Sequence, residues 1–377
     1  MLHVPMLWNP FQLGVKDDDL FQYFQRVAVQ SLTIFAHNAS DLGKFLIRMA
    51  LGSDTASTMA VQQSILAFSS IHRYNVHSRA VELKISALKA LATASASHIG
   101  TKEAIQHIAA GMLLLSFEIH QASCTSGQWT SYLNGVKDVI KVACLDDAAQ
   151  QDSDLAILLD WVYYHDVVAR FAEPHWHKGA AEGTPMPRIR AEASHTAPPA
   201  LLTIQLLSEL CDAVSARPTP ANMNDHKSYL KILDWKIRNI PMEAIMDNSM
   251  HALFTIEVFQ LAMLVYLNGV SGNMLNQVNK TQQHIDKAFS IFSRMSSCYR
   301  QFPIFVLGCE ARRDDQRATV LDLMARTESS SSSRSFRHVR VLLQAVWAQD
   351  DLIEGGINYR DRLDNVISRC GNLPTLV

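Results

Sequence analysis

The sequence predicts an all-α protein built as a single large multi-helix domain. Apolar residues recur at intervals of three and four along most of the 377 residues, and the alternating pattern typical of strands is nearly absent. Hydrophobic residues make up 48% and charged residues 19%, which is typical of a folded chain that buries a sizeable core. A division into two lobes at the proline-containing stretch 178–199 is the alternative organisation.

The spacing of apolar residues predicts the helices one by one. Those of the first half are Phe21–Leu32, Ile65–Tyr74, Ala80–Ser95, His107–Ile119, a helix that begins near Gln128, and Leu155–Phe171. The second half adds Leu201–Val214, Lys227–Arg238, Met250–Leu267, Ser271–Cys298, Arg312–Met324 and Phe336–Trp347. The polar turn Ser123–Gly127 joins the fourth and fifth helices into an α-hairpin. The face of the third helix that we expect to be buried carries Leu83, Ala87, Leu88 and Leu91.

Composition also suggests where the domain begins and ends. Residues 1–20 form an N-terminal segment, residues 21–354 the helical domain and residues 355–377 a C-terminal tail. Inside the domain, 178–199 is predicted as a loop because it holds four prolines. The serine-rich stretch 328–335 is predicted as a second loop because it is too polar to be buried.

Charge and cysteine spacing argue against a DNA-reading metal cluster. The formal net charge is −2, which gives no electrostatic basis for binding nucleic acid over the whole surface. The two closest of the six cysteines, Cys298 and Cys309, are eleven residues apart, whereas a zinc cluster needs closely spaced pairs of thiolates. We expect reduced cysteines in a soluble intracellular protein. We expect that the N-terminal stretch is not a secretory signal and that the longest apolar run, around Val258 to Leu267, is too short to span a bilayer.

Three stretches carry a resemblance to a known family. They are GMLLLSFEIHQASCTSGQWTSYLNGVKDVI, LLDWVYYHDVVARF, and PIFVLGCEARRDDQR followed by VLLQAVW. From Phe21 to Asp351 the chain resembles the fungal-specific transcription factor domain, a helical regulatory domain that normally follows a binuclear zinc–cysteine cluster. The resemblance implies a regulator of the nucleus or cytoplasm, plausibly in fungal secondary metabolism, that acts through a protein partner, a homodimer or a small apolar ligand. Without a cluster in this sequence, we expect no direct sequence-specific DNA binding and no cofactor.

Five side chains are candidates for lining a ligand pocket. Trp161, Tyr164 and His165 lie in the LLDWVYYHDVVARF helix, where His165 follows Trp161 on the inward face. Met250 and Met263 belong to the most apolar helix of the second half, and thioethers adapt to varied ligand shapes. Ordinary core packing is the favoured interpretation of all five. In the same helix, the spacing of Asp166 and Arg170 predicts an exposed ion pair.

An enzyme is the alternative function. Asp350, Asp351 and Glu354, in the stretch DDLIE, share one side of a helix in a pattern that can bind Mg²⁺. Together with Asp160 they are the candidate ligands of a magnesium-dependent terpene cyclase acting on a prenyl diphosphate. The favoured interpretation of DDLIE is an exposed acidic turn at a helix end.

Overall fold

A computed structural model describes eleven stretches of the chain, and all structural statements below concern them. These stretches are residues 15–32, 39–96, 100–121, 127–145, 152–176, 199–216, 222–242, 250–272, 274–330, 336–352 and 358–377. Within them the chain forms α-helices and one short 3₁₀ helix, Ala28–Ser31, and no strand. The prediction of an all-α protein is confirmed.

Fifteen α-helices follow one another in the described stretches. In the first half they are α1 (Val15–Arg26), α2 (Ala39–Leu51), α3 (Ala56–Tyr74), α4 (Ser78–Ser95), α5 (Thr101–Ile119), α6 (Gln128–Val142) and α7 (Ser153–Trp176). In the second half they are α8 (Pro199–Ser215), α9 (Met223–Arg238), α10 (Met250–Val270), α11 (Val278–Arg294), α12 (Gln301–Gly308), α13 (Asp314–Ser330), α14 (Phe336–Leu352) and α15 (Tyr359–Ile367).

Helix α3 is the centre of the first half. It packs against α1, α2, α4 and α5, and α5 packs in turn against α6. The α3 helix begins where the Thr55 hydroxyl accepts a hydrogen bond from the backbone N–H of Thr58, and it ends at Asn75, whose φ of 66° stops the helix. The α5–α6 pair is the predicted α-hairpin, with Gly127 in the left-handed conformation before α6.

Helix α10 is the centre of the second half. It packs against α8, α9, α11, α12 and α15. By length and composition it could cross a membrane, but 67% of its apolar window is buried among these neighbours, as in a core helix. The Gln260 side chain donates hydrogen bonds to the carbonyl oxygens of Ile237 and Arg238, the last residues of α9, at 2.8 and 3.1 Å.

Helix α7 and the C-terminus join the two halves. The α7 helix packs against α2, α5 and α6 on one side and against α8 and α15 on the other. The C-terminal residues return to the first half, where Trp129 donates a hydrogen bond to the carbonyl oxygen of Leu373. One continuous apolar core extends from Leu20 to Leu376, so the described residues form one domain rather than two lobes.

Two sequence predictions differ from the structure. The predicted tail 355–377 contains α15 and ends in buried residues, including Leu376, because Leu363, Val366 and Ile367 form an apolar face. The predicted loop 328–335 begins with three helical residues, since α13 runs to Ser330 and Glu328 pairs with Arg340 at 2.8 Å. Its residues 331–335 lie outside the described part, as do residues 178–198 of the predicted internal loop, whose last residue, Pro199, begins α8.

Candidate functional site

A small polar cavity lies where α5 and α7 meet the residues before α12. Its volume is about 30 Å³, which is enough for roughly two water molecules. The lining residues are Ser31, Leu32, Ser116, Ile119, His120, Trp161, His165, Tyr299, Arg300 and Val377. Two of the predicted pocket residues, Trp161 and His165, therefore lie at one cavity.

Backbone hydrogen bonds fix the tautomers of the two cavity histidines. Nδ1 of His120 donates to the carbonyl oxygen of Ser116 at 2.8 Å, and Nδ1 of His165 donates to that of Trp161 at 2.9 Å. In the neutral ring, Nε2 is then the acceptor. The pKa of each imidazole is lowered to about 4, mainly by burial and further by the positive charge of Arg300. At neutral pH both side chains are uncharged acceptors.

A third buried histidine lies behind the cavity. His72 is 2% exposed, and its ring centroid is 5.5 Å from that of His120. The Tyr23 hydroxyl lies 2.9 Å from Nδ1 of His72, and the Phe68 ring centroid lies 5.7 Å from that of His72 and 5.1 Å from that of His120. Burial lowers the pKa of His72 to about 3, and the neighbouring His120 contributes to the decrease. Three neutral imidazoles therefore lie near this site.

Arg300 supplies the positive charge of the cavity wall. The guanidinium is 6% exposed, and its central carbon lies 5.7 Å from the ring centroid of Tyr164, the third predicted pocket residue on α7. Burial raises the pKa of Tyr164 to about 12, so its hydroxyl keeps its proton. The indole N–H of Trp161 is buried and has no acceptor among the described residues. The cavity thus combines one cation, one N–H donor and two imidazole acceptors.

The dimensions of this cavity restrict what it can bind. A drug-sized ligand needs about 300–1,000 Å³, so such a molecule would enter only if neighbouring side chains moved. The two methionines predicted for a pocket lie elsewhere: Met250 is 54% exposed at the start of α10, and Met263 is fully buried within the core. An apolar effector pocket built from all five predicted residues is not present in this conformation of the described chain.

The acidic residues of the alternative enzyme hypothesis are held by arginines. The Asp351 carboxylate forms a bidentate ion pair with Arg317, at 2.7 and 2.8 Å. Asp350 lies 3.0 Å from Arg312 and 3.1 Å from Arg362, which is 1% exposed and also pairs with Glu310. These contacts join α13 and the segment before it to α14 and α15, and they give each carboxylate a charged partner.

The other predicted metal ligands do not complete a site. Glu354 lies outside the described residues, and Asp160 is on α7, the long helix that joins the two halves. The described residues contain no group of three or more His, Cys, Asp or Glu side chains that could hold a metal ion.

A buried ion network lies further along α7, where the sequence predicted a surface pair. Asp166 is 1% exposed and lies 2.6 Å from Lys137 and 3.3 Å from Arg170. Arg170 also donates to Asp212 at 2.8 Å and to Ser208 at 2.7 Å. The prediction of an exposed pair was wrong, because α6 and α8 cover this face of α7 and bring additional partners.

A buried hydrogen-bonded cluster centred on His175 lies at the end of α7. Nδ1 of His175 lies 2.6 Å from the Asp364 carboxylate, and Nε2 lies 2.8 Å from the Tyr266 hydroxyl. Both ring nitrogens are occupied and the side chain has no exposed surface, so the group fastens α15 to α7 and α10. The indole N–H of Trp176 donates to the carbonyl oxygen of Cys370 at 2.9 Å, which anchors the C-terminal segment to the same helix.

Comparison with known proteins places most of the chain in one family. A family model described as the fungal-specific transcription factor domain matches residues 19–368. The chain is also 48% identical, over 100% of both lengths, to a protein of Pestalotiopsis fici named "Transcription factor iacI". No solved structure matches the chain.

Proposed function

Because the chain belongs to the fungal-specific transcription factor domain family, we propose that it regulates transcription of fungal secondary-metabolism genes through protein partners. The observation that carries the proposal is the similarity, along the full length of both chains, to a protein named as a transcription factor. Such a role places the protein in the nucleus. The arginine pairs of Asp350 and Asp351 favour this role over the alternative enzyme, since they occupy the carboxylates that would bind Mg²⁺.

The cysteines support an indirect route to DNA. Cys211, Cys298 and Cys309 are buried singly on different elements, and Cys144 is exposed. Burial raises the pKa of Cys211 to about 12 and that of Cys298 to about 11, so neither presents the thiolate that zinc binding needs. With a net charge of −2, the chain has no overall attraction for phosphates. Its access to promoters would then depend on a DNA-binding partner.

Two helices display apolar faces that suit protein partners. On α9, Ile232 is 54% exposed and Trp235 is 65% exposed, three residues apart on one face. Large aromatic side chains often carry most of the binding energy at protein interfaces, so Trp235 is the residue we assign to partner contact. On α4, a second row of aliphatic side chains faces outward.

A tethered reporter assay tests this function. The chain is fused to an unrelated DNA-binding domain, and a reporter gene is placed under the matching operator in the producing fungus. We expect reporter expression to change several-fold relative to the DNA-binding domain alone, and Trp235→Ala to reduce the change. The matched control is Tyr74→Ala, which removes another half-exposed aromatic side chain. Reporter expression equal to that of the DNA-binding domain alone would contradict the proposal.

A further inference from the structure

Helix α4 has an outer face that lacks a partner within the described residues. Its inner face packs against α3 through Leu83 and Ala87, which are 2% and 0% exposed. On the opposite face, Val81, Ile85 and Leu88 are 40%, 45% and 37% exposed. Their spacing of four and three residues is that of a seam between two packed helices. Leu88 was predicted to be buried with the inner face, but it belongs to this outer row.

The charges beside this seam are arranged to match a second copy of the same helix. Glu82 and Lys89 each follow a seam residue, so they lie on the same edge of the seam, about 10 Å apart along the helix axis. If two α4 helices pack antiparallel around a twofold axis near Ile85, Glu82 of each copy lies opposite Lys89 of the other. A parallel arrangement would instead place Lys89 beside Lys84 of the second copy, a pair of like charge.

Glu82 and Lys89 are both available for such contacts. Glu82 forms an ion pair with Arg79 of the same helix at 3.8 Å, and the side chains of Glu82 and Arg79 are 63% and 50% exposed. Lys89 forms no ion pair within the described residues. By contrast, Lys84 is already bound to Glu118 and Gln128 on its own chain. An antiparallel second copy would therefore bring Lys89 opposite Glu82, whose contact with Arg79 on its own chain is long and exposed.

We propose that the outer face of α4 is a homodimer interface, in which two copies of the chain pack their α4 helices antiparallel about a twofold axis. The role of this interface rests on the proposed function as a regulator. A dimer presents two copies of the Trp235 face, and two linked contacts bind a partner assembly more tightly than one. The self-complementary charges set the orientation, while the aliphatic row supplies the apolar contact.

The first test is the oligomeric state of the full chain measured by analytical ultracentrifugation over a range of concentrations. We expect the wild-type protein to sediment at twice the mass of the 42.1 kDa chain. Ile85→Asp places a charge at the centre of the seam in both copies and should weaken association by about a hundredfold or more. The matched control is Val341→Asp on α14, whose side chain is 56% exposed and which should leave the dimer intact.

A charge exchange tests the antiparallel geometry. Glu82→Lys alone creates two repulsive pairs across the twofold axis and should weaken association roughly tenfold. The double variant Glu82→Lys/Lys89→Glu restores opposite charges and should return the dissociation constant to within about threefold of the wild-type value. Both positions are on the surface, so thermal melting followed by circular dichroism should show that each variant remains folded.

Several results would overturn this interface. They are a wild-type chain that stays monomeric at tens of micromolar, a dimer that survives Ile85→Asp, and a double variant that dimerises no better than Glu82→Lys. The tethered reporter separates the two proposals. If the protein is monomeric but still changes reporter expression, the dimer interface is refuted and the regulator function stands. If the protein forms a dimer that depends on Ile85 but does not change reporter expression, the interface stands and the regulator function is refuted.

Discussion

Mild acid should unfold this protein, because three buried histidines are uncharged in the native state. The pKa is about 3 for His72 and about 4 for His120 and His165, against about 6.5 in an unfolded chain. The native pKa values lie below the unfolded ones, so this stability is fully present above pH 6.5 and is lost as the pH falls towards 4. Each histidine contributes a loss of about 1.4 kcal/mol per pH unit in that window.

The three together give a slope of about 4 kcal/mol per pH unit between roughly pH 6 and 4.5, against a typical total stability of about 5–15 kcal/mol. Urea unfolding at a series of pH values measures this slope. His165→Gln should reduce the slope by about 1.4 kcal/mol per pH unit, the contribution of one proton. Phe24→Leu weakens packing without removing a titratable group, so it should lower the free energy of unfolding and leave the slope unchanged. A free energy of unfolding that stays constant between pH 7 and 5 would show that these histidines are protonated, or exposed, in the native protein.

Three further substitutions or assays have definite expected outcomes. Trp161→Ala should cost about 3–5 kcal/mol by leaving a cavity, while Trp235→Ala, at a side chain 65% exposed, should change stability by less than about 0.5 kcal/mol; equal urea midpoints would refute the packing described for α7. Asp166→Ala should cost about 3–5 kcal/mol because it leaves Lys137 and Arg170 without their buried counter-ion, and a loss below about 1 kcal/mol would show that the network is solvated. Incubation with farnesyl diphosphate and Mg²⁺ should give no hydrocarbon by gas chromatography, since arginines hold Asp350; a product that disappears on Asp350→Ala would revive the enzyme alternative.

Much of the fold could be predicted because apolar spacing reports local structure. The spacing in LLDWVYYHDVVARF places Trp161 and His165 on an inward face, and both are buried, at 2% and 3% exposure. The same rule would have found α15, whose Leu363, Val366 and Ile367 follow a helical pattern. This helix was missed because Gly355–Gly356 suggested that the domain ends there. Whether a segment forms a helix can thus be predicted from local spacing. The helix α15 was missed because the end of the domain was placed too early.

The site could be predicted only in part, because its charges come from distant elements. Arg300 lies in an irregular segment between α11 and α12, where no periodicity marks it as buried. His72 and His120 both lie near the ends of apolar helices, but nothing local indicates that their rings approach to 5.5 Å. Similarly, the spacing of Asp166 and Arg170 cannot reveal Lys137, which lies 29 residues earlier. Contacts of this kind depend on tertiary packing.

The central claim is that the chain is a regulator. It is tested most directly by transcript profiling of the fungus that carries the gene for this chain, with that gene deleted and then restored. We predict that transcripts of a set of biosynthetic genes change several-fold on deletion and return when the wild-type gene is supplied, together with the corresponding metabolite. A metabolite that disappears while the transcripts of its biosynthetic genes stay unchanged would contradict the account and indicate that the chain itself performs a chemical step.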